Sequence, residues 1–115
     1  MAPTMVFDNN GKLKLIVGAP GGSRIINYVA QTIIGILDWK LDPQEAINLP
    51  KITNRNHGTT LERGTAAEAL KPLLEAKGHQ VQIRDLNSGI HAIEVTTSGY
   101  IGGADPRREG IVLTK

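Results

Sequence analysis

The sequence predicts a single α/β (α+β) layered domain over residues 1–115. Three observations indicate this fold class: a β-hairpin signal near the amino terminus, a long apolar helical segment after it, and several strand-like segments towards the carboxyl terminus. The predicted element order is β-β-α-α-(β)-α-β-β-β, which is typical of helices layered on a sheet. The chain is long enough to bury a hydrophobic core.

The hairpin and the long helix are the clearest elements. Asn10-Gly11 joins two strand patterns, and both residues tolerate the positive φ of a tight turn. A helix is predicted from about Ser23 to Trp39 because apolar side chains recur at helical spacing in two adjacent stripes. The first stripe contains Ile25, Val29, Ile33 and Ile36, and the second contains Ile26, Ala30, Ile34 and Leu37. We expect this helix to be largely buried against a sheet.

Two capping-box signals predict the later helices. Residues 42–45 start a short helix that ends at Pro50. Residues 65–68 start another, with a break at Pro72 and a stop at Gly78. Further strands are predicted at 59–62, 81–84, 90–95 and 100–101, with Ser98-Gly99 as the last turn.

Composition excludes several classes of function. Hydrophobic residues make up 40% of the chain, which excludes a disordered protein. The net charge of +2 comes from interleaved basic and acidic residues, and aromatic residues make up 3%, so we expect no nucleic-acid partner. The absence of cysteine excludes disulfides, thiolate metal sites and cysteine nucleophiles. No segment has the roughly 18 apolar residues of a membrane span, and no signal peptide is visible.

The histidines and serines form no recognisable catalytic or metal-binding set. His57, His79 and His91 share no metal-ligand spacing, so we expect neither a metal nor another cofactor. They are interpreted as surface or loop residues. If one of the three side chains lies inside the protein, we expect it to be that of His91. No serine lies in a G-x-S-x-G elbow, so the chain shows no serine nucleophile.

Residues 18–28 are the most informative segment, because Pro-Gly-Gly-Ser lies between an apolar strand and the apolar helix. Gly21 and Gly22 remove side chains where several backbone N–H groups have no partner, and a helix N-terminus attracts negative charge. One interpretation is a tight connection in which glycine only avoids a clash. The other is a site for a phosphate, a carboxylate or the oxyanion of an attacked carbonyl. The spacing matches neither a Walker loop nor a dinucleotide fingerprint.

The segment Asp105-Pro-Arg-Arg near the carboxyl terminus also has two interpretations. It is either a solvated turn or a buried or interfacial Asp–Arg pair that fixes a loop near a site.

Three segments together resemble a known family: Met-Ala-Pro-Thr-Met-Val at residues 1–6, Gly-Ala-Pro-Gly-Gly-Ser-Arg-Ile at 18–25, and Gly-Ala-Asp-Pro-Arg-Arg-Glu-Gly at 103–110. The chain resembles, over essentially its whole length, the C-terminal part of the small subunit of γ-glutamyltranspeptidases. The resemblance implies part of an N-terminal-nucleophile hydrolase fold, an αββα sandwich. It also implies transfer or hydrolysis of the γ-glutamyl group of glutathione-like compounds.

The resemblance implies that Gly21 and Gly22 are the paired oxyanion-hole glycines and contact the substrate. The threonine nucleophile of the family, exposed when the precursor cleaves itself, corresponds to a position upstream of Met1. The threonines here, such as Thr4, are not substitutes. We therefore expect the chain alone to be inactive, and its partners to be the large subunit, the N-terminal part of the small subunit, or other copies of itself.

The family also implies a periplasmic or extracellular location.

The sequence leaves two alternative functions open. One is a non-catalytic interaction or assembly module, and the other is a small anion-binding domain that uses Gly21, Gly22 and Ser23.

Overall fold

The computed structural model describes residues 1–115 and contains seven strands and three α-helices. The strands are β1 Thr4–Phe7, β2 Leu13–Gly18, β3 Ile52–Asn54, β4 Thr59–Glu62, β5 Val81–Arg84, β6 His91–Thr96 and β7 Gly99–Ala104. The helices are α1 Ile25–Leu37, α2 Pro43–Asn48 and α3 Lys71–Ala76, and a 3-10 helix at Ala66–Leu70 precedes α3. None of these helices is both long and apolar enough to cross a lipid bilayer.

The strands form two sheets. The first sheet has the order β1-β2-β6-β7 and is antiparallel throughout. The second has the order β3-β4-β5, with β3 antiparallel and β5 parallel to β4. The parallel pair needs a crossover, which the 3-10 helix and α3 supply. The layered α/β fold class is confirmed.

The core lies between the first sheet and the helices α1 and α2. Leu15 and Val17 of β2 face it from the sheet, and Ala46 and Ile47 face it from α2. All four side chains are at most 1% exposed. The second sheet packs on α1 through β3 rather than on the first sheet.

The prediction of a largely buried α1 is only half right. The first apolar stripe is mostly buried, but Ile26 and Ile34 of the second stripe are 76% and 41% exposed. The two stripes lie on adjacent faces of one helix, and the elements of this chain cover only one of them.

The opposite face of the first sheet is also open. Met5, Ile16 and Ile93 are aligned across β1, β2 and β6, and we call these three residues the outer sheet face. Met5 is 62% and Ile93 is 44% exposed. Monomeric proteins seldom leave a contiguous apolar surface of this kind uncovered.

Local signals predicted the helix starts well. Asp42 Oδ1 accepts a hydrogen bond from Gln44 N (2.8 Å) and Glu45 Oε2 accepts one from Asp42 N (3.2 Å), so this capping box is confirmed. The second box is only partly formed, because the Glu68 carboxylate accepts from Gly64 N instead. The predicted break occurs where the 3-10 helix gives way to α3.

The turns contain one confirmation and one correction. At the first hairpin, Gly11 has φ +76°, as a tight turn with Asn10-Gly11 requires. At the last hairpin Thr96 pairs with Gly99, so the turn residues are 97–98 rather than the predicted Ser98-Gly99.

The contact between β7 and α2 leads to a stability prediction. A Cβ on Gly103 would lie 2.8 Å from Ile47 Cδ1 and 3.0 Å from the backbone nitrogen of Gln44. We expect Gly103→Ala to lower the free energy of unfolding by about 1–3 kcal/mol, because α2 must move off the sheet. Urea unfolding measures this.

The neighbouring Gly102 provides the control. The three atoms nearest to a Cβ there all belong to the side chain of Val112, near the carboxyl terminus, and we expect that side chain to move aside. An equal loss in Gly102→Ala and Gly103→Ala would contradict the proposed role of the close contact with α2.

Candidate functional site

Gly21 and Gly22 lie in the connection between β2 and α1, and both are exposed. Gly21 has φ +134°, a conformation that L side chains rarely adopt. A Cβ on Gly22 would meet no atom within 4 Å. Backbone conformation therefore explains the first glycine, but avoidance of a clash within this chain does not explain the second.

The backbone amides of this connection have no partners within the chain. The N–H groups of residues 21–24 donate no hydrogen bond, and the first one near α1 runs from Ile25 N to Gly22 O at 3.3 Å. Arg24 is the N-cap of α1, and its side chain makes no capping hydrogen bond. Gly21 and Gly22 are exposed residues, and their amides are thus paired with no carbonyl group of the chain, as an anion site requires.

A small cleft of about 120 Å³ opens at these glycines, and we call it the glycine cleft. It is lined by residues 21–24, Tyr28, residues 85–87 and Arg108. Two guanidinium groups, of Arg24 and Arg108, and one carboxylate, of Asp85, therefore border it. Burial, the largest influence, raises the pKa of Tyr28, so its hydroxyl is neutral at physiological pH.

The loop before β6 forms the other wall of the glycine cleft. Arg108 Nε donates a hydrogen bond to Asn87 O (2.8 Å). A Cβ on Gly89 would lie 2.9 Å from Pro20 Cγ and 2.7 Å from Arg108 Cδ. A side chain at position 89 would force this loop away from Pro20 and displace the Arg108 side chain.

Asp105 is 1% exposed and binds that loop through hydrogen bonds. Its carboxylate accepts hydrogen bonds from Ser88 Oγ (2.5 Å) and Ile90 N (3.2 Å) on one oxygen, and from Arg107 N and Nη1 on the other. Burial on its own raises the pKa of Asp105, but these hydrogen bonds outweigh it and hold the pKa below its usual value. Asp105 is therefore ionised at neutral pH.

Arg107 pairs with both Asp105 and Glu62. Its Nε and Nη2 donate to the two oxygens of Glu62, the latter at 2.9 Å, and the Glu62 side chain is 8% exposed. It also donates to the carbonyl oxygens of Ile47 (3.1 Å) and Leu49 (3.2 Å). Burial lowers the pKa of Arg107, but the Glu62 and Asp105 carboxylates outweigh burial and raise it. The interpretation of a buried Asp–Arg pair is confirmed, and the solvated turn is wrong.

Lys51 is a further buried charged residue, and the sequence does not predict it. It is 0% exposed, and its Nζ donates to Ile47 O (2.7 Å). Its backbone N donates to Glu62 Oε2 (2.7 Å). Lys51 therefore borders the cluster of Arg107, Glu62 and Asp105. Burial first, and then the nearby Arg107 charge, lower the pKa of Lys51 to about 8. No sequence signal marks this residue, because a lysine after Pro50 is typical of a surface loop.

The Lys51 shift predicts that stability rises in mild alkali. The pKa is about 8 in the folded chain and near 10.5 when unfolded, so the unfolded chain binds more protons between these values. The free energy of unfolding should increase from pH 8 to pH 10.5, by on the order of 3 kcal/mol in total. Lys51→Met should abolish this component, and urea unfolding at a series of pH values tests it. An identical pH dependence in the variant would contradict it.

His91 is a surface residue like the other two histidines, so the expectation that it is the one that lies inside is not met. The residue begins β6, but its side chain is exposed while that of the next residue, Ala92, faces the core. His57 and His79 are exposed as predicted, and the three rings do not converge on a common point with other ligand side chains.

The sequence matches one family model and several known proteins. The family model described as gamma-glutamyltranspeptidase matches residues 1–114. The glutathione hydrolase proenzyme of Escherichia coli is 38% identical over 110 residues, covering 93% of this chain and 19% of that protein. A protein of the same name from Pseudomonas aeruginosa is 34% identical, covering 98% of this chain and 21% of its own length.

A solved structure agrees with these sequence relatives. A mutant Helicobacter pylori gamma-glutamyltranspeptidase superposes with a TM-score of 0.82 at 34% identity, covering 94% of this chain and 61% of that one. The chain spans about a fifth of the full length of the two proenzymes above, which are the curated relatives it matches. The match to the family model over nearly every residue, together with the shared fold, shows that the chain belongs to the γ-glutamyltranspeptidase family.

Proposed function

We propose that this chain acts as the C-terminal part of the small subunit of a γ-glutamyltranspeptidase and supplies its oxyanion hole through Gly21 and Gly22. The reaction is transfer or hydrolysis of the γ-glutamyl group of glutathione-like substrates. One observation carries the proposal: the amides of these two exposed glycines have no hydrogen-bond partner in the chain and lie beside the N-terminus of a helix.

The chemistry needs such donors. Attack on an amide carbonyl places a negative charge on its oxygen, and fixed N–H groups aimed at that oxygen stabilise the transition state more than the ground state. The glycines bring no side chain between their amides and the substrate. Arg24 and Arg108 add positive charge at the rim of the same cleft.

The nucleophile and the groups that hold the substrate's α-amino and α-carboxyl groups belong, in this proposal, to polypeptide upstream of these residues. The nucleophile is a threonine exposed by self-cleavage of a precursor. We propose the large subunit and the N-terminal part of the small subunit as partners, a single domain for residues 1–115, and a periplasmic or extracellular location.

The test is a chimera with the Escherichia coli relative. The chain replaces the C-terminal segment that it matches in that glutathione hydrolase proenzyme, and release of glutamate from glutathione is measured. We expect activity from the chimera and none from the 115-residue chain alone. Hydrolysis by the chain alone would refute the proposed location of the nucleophile.

Two other outcomes would favour the alternative functions. A folded, self-cleaved chimera without activity would favour an assembly module over an enzyme part. Saturable protection of the Gly22 and Ser23 amides by phosphate in such an inactive protein would favour an anion-binding domain.

The open apolar surfaces predict the behaviour of the isolated chain. The outer sheet face and the exposed stripe of α1, with Ile26 and Ile34, are the surfaces that the missing polypeptide would cover. Without it we expect concentration-dependent self-association, measured by sedimentation velocity. A sharp monomer at all concentrations would contradict this expectation, and Ile26→Lys with Ile93→Lys should restore a monomer if these surfaces are responsible.

A further inference from the structure

A second cleft has a volume of about 350 Å³ and shares one lining residue, Arg24, with the glycine cleft. It is lined by Arg24 before α1, by Arg55 after β3 and by Arg84 of β5, and we call it the arginine cleft. Thr60 of β4 and Gln82 of β5 contribute neutral polar groups to it. Arg24 lines both clefts, whereas Arg55 and Arg84 line only this one.

The charges in the arginine cleft are not balanced. No aspartate or glutamate lines it, and none of its three arginines forms an ion pair within the chain. Two acidic residues beside Arg84, its register partner and its sequence neighbour, already have partners. Glu62, the register partner of Arg84, is paired with Arg107. Asp85 Oδ1 lies 3.6 Å from Arg63 Nε.

Buried polar atoms without partners accompany this imbalance. Arg24 Nε is buried and has no hydrogen-bond partner. Thr53 Oγ1 is in the same condition, and Thr53 is the register partner of Thr60 on the cleft wall. Buried donors are almost always satisfied in folded proteins. Of these two residues only Arg24 lines the cleft, so its unpaired Nε points to a missing acceptor there.

We propose that the arginine cleft binds a small polyanion carrying phosphate-type oxyanions. The planar guanidinium fork matches two oxygens of a phosphate group, and three such forks around one cleft exceed what a single carboxylate needs. The volume is that of a small-molecule site. This ligand is distinct from the γ-glutamyl substrate of the proposed reaction, and the site does not depend on that reaction.

The experiment is an isothermal titration of the 115-residue chain with inorganic pyrophosphate, with inorganic phosphate for comparison. We expect one saturable site that binds pyrophosphate more tightly than phosphate. Arg84→Gln and Arg55→Gln should each weaken binding about tenfold, because each removes a charge-assisted contact. Circular dichroism and the urea midpoint check that these exposed substitutions leave the fold unchanged.

Two further variants locate the ligand. Arg63→Gln removes an exposed arginine that lies outside the cleft, and its affinity should equal that of the unsubstituted chain. Absence of saturable binding, or equal affinities in the Arg84→Gln and Arg63→Gln variants, would overturn the proposal. So would a loss in Arg108→Gln as large as that in Arg84→Gln, because the anion would then lie in the glycine cleft.

Discussion

Replacing Arg107 by methionine is expected to lower the free energy of unfolding by about 3–5 kcal/mol, the largest stability effect in this chain. The substitution leaves the carboxylates of Glu62 and Asp105 buried without their cation, since these side chains are 8% and 0% exposed. It also leaves the carbonyl oxygens of Ile47 and Leu49 without the Arg107 guanidinium as a donor. Equilibrium urea unfolding at pH 7 measures the loss.

The matched control is Arg63→Met. Arg63 faces Asp85 in an exposed pair, with side chains 61% and 89% exposed, and such pairs contribute about 0–1 kcal/mol. A loss in Arg107→Met no larger than that in Arg63→Met would contradict the proposed role of the buried cluster. The double variant Arg107→Met, Glu62→Gln should recover part of the loss, because only one uncompensated carboxylate then remains.

Replacing Gly22 by proline is expected to lower kcat of the chimera by about 10²–10³, with little change in KM. Proline removes one of the two backbone donors that the proposal assigns to the oxyanion and leaves the other, on Gly21, in place. Because the donor acts mainly on charge that develops in the transition state, the loss should appear in kcat. Initial rates of glutamate release from glutathione, over a range of concentrations, separate the two constants.

Gly22→Ala separates loss of the donor from other effects of substitution. Alanine retains the N–H, and its Cβ meets no atom of the chain within 4 Å, so its activity should exceed that of Gly22→Pro by a large factor. Similar kcat values in the two variants would refute the role of the Gly22 amide, as would wild-type kcat in Gly22→Pro.

Local chemistry made the helix starts, the glycine turn and the strand positions predictable. The capping box at Asp42 and the break before Pro72 each depend on residues within a few positions of one another. The same holds for Gly11 in the first turn. These features follow from steric limits and hydrogen bonds that the sequence displays directly.

Long-range partners were not predictable. Glu62 and Arg107 are 45 positions apart, and no pattern in either segment identifies the other. Lys51 was missed for the same reason. The exposed stripe of α1 shows a further limit: an apolar pattern indicates that a face is buried somewhere, but does not indicate which polypeptide buries it.

Part of the candidate site was predictable and part was not. The two glycines before an apolar helix indicated free amides, and the amides of Gly21 and Gly22 have no partner in the chain. Their role in catalysis stays a prediction. The wall formed by Asn87 and Arg108 depends on how the loop before β6 folds back, which requires a glycine at position 89 for steric reasons alone.

The pairing of Glu62 with Arg107 has a consequence for synthesis on the ribosome. Glu62 is translated 45 residues ahead of the cation that neutralises it, so a nascent chain that stops short of Arg107 cannot bury that carboxylate favourably. The second sheet therefore gains its final stability only after Arg107 has been translated. Truncation just before Arg107 should yield a chain that cells degrade, even though every helix and strand has already been made.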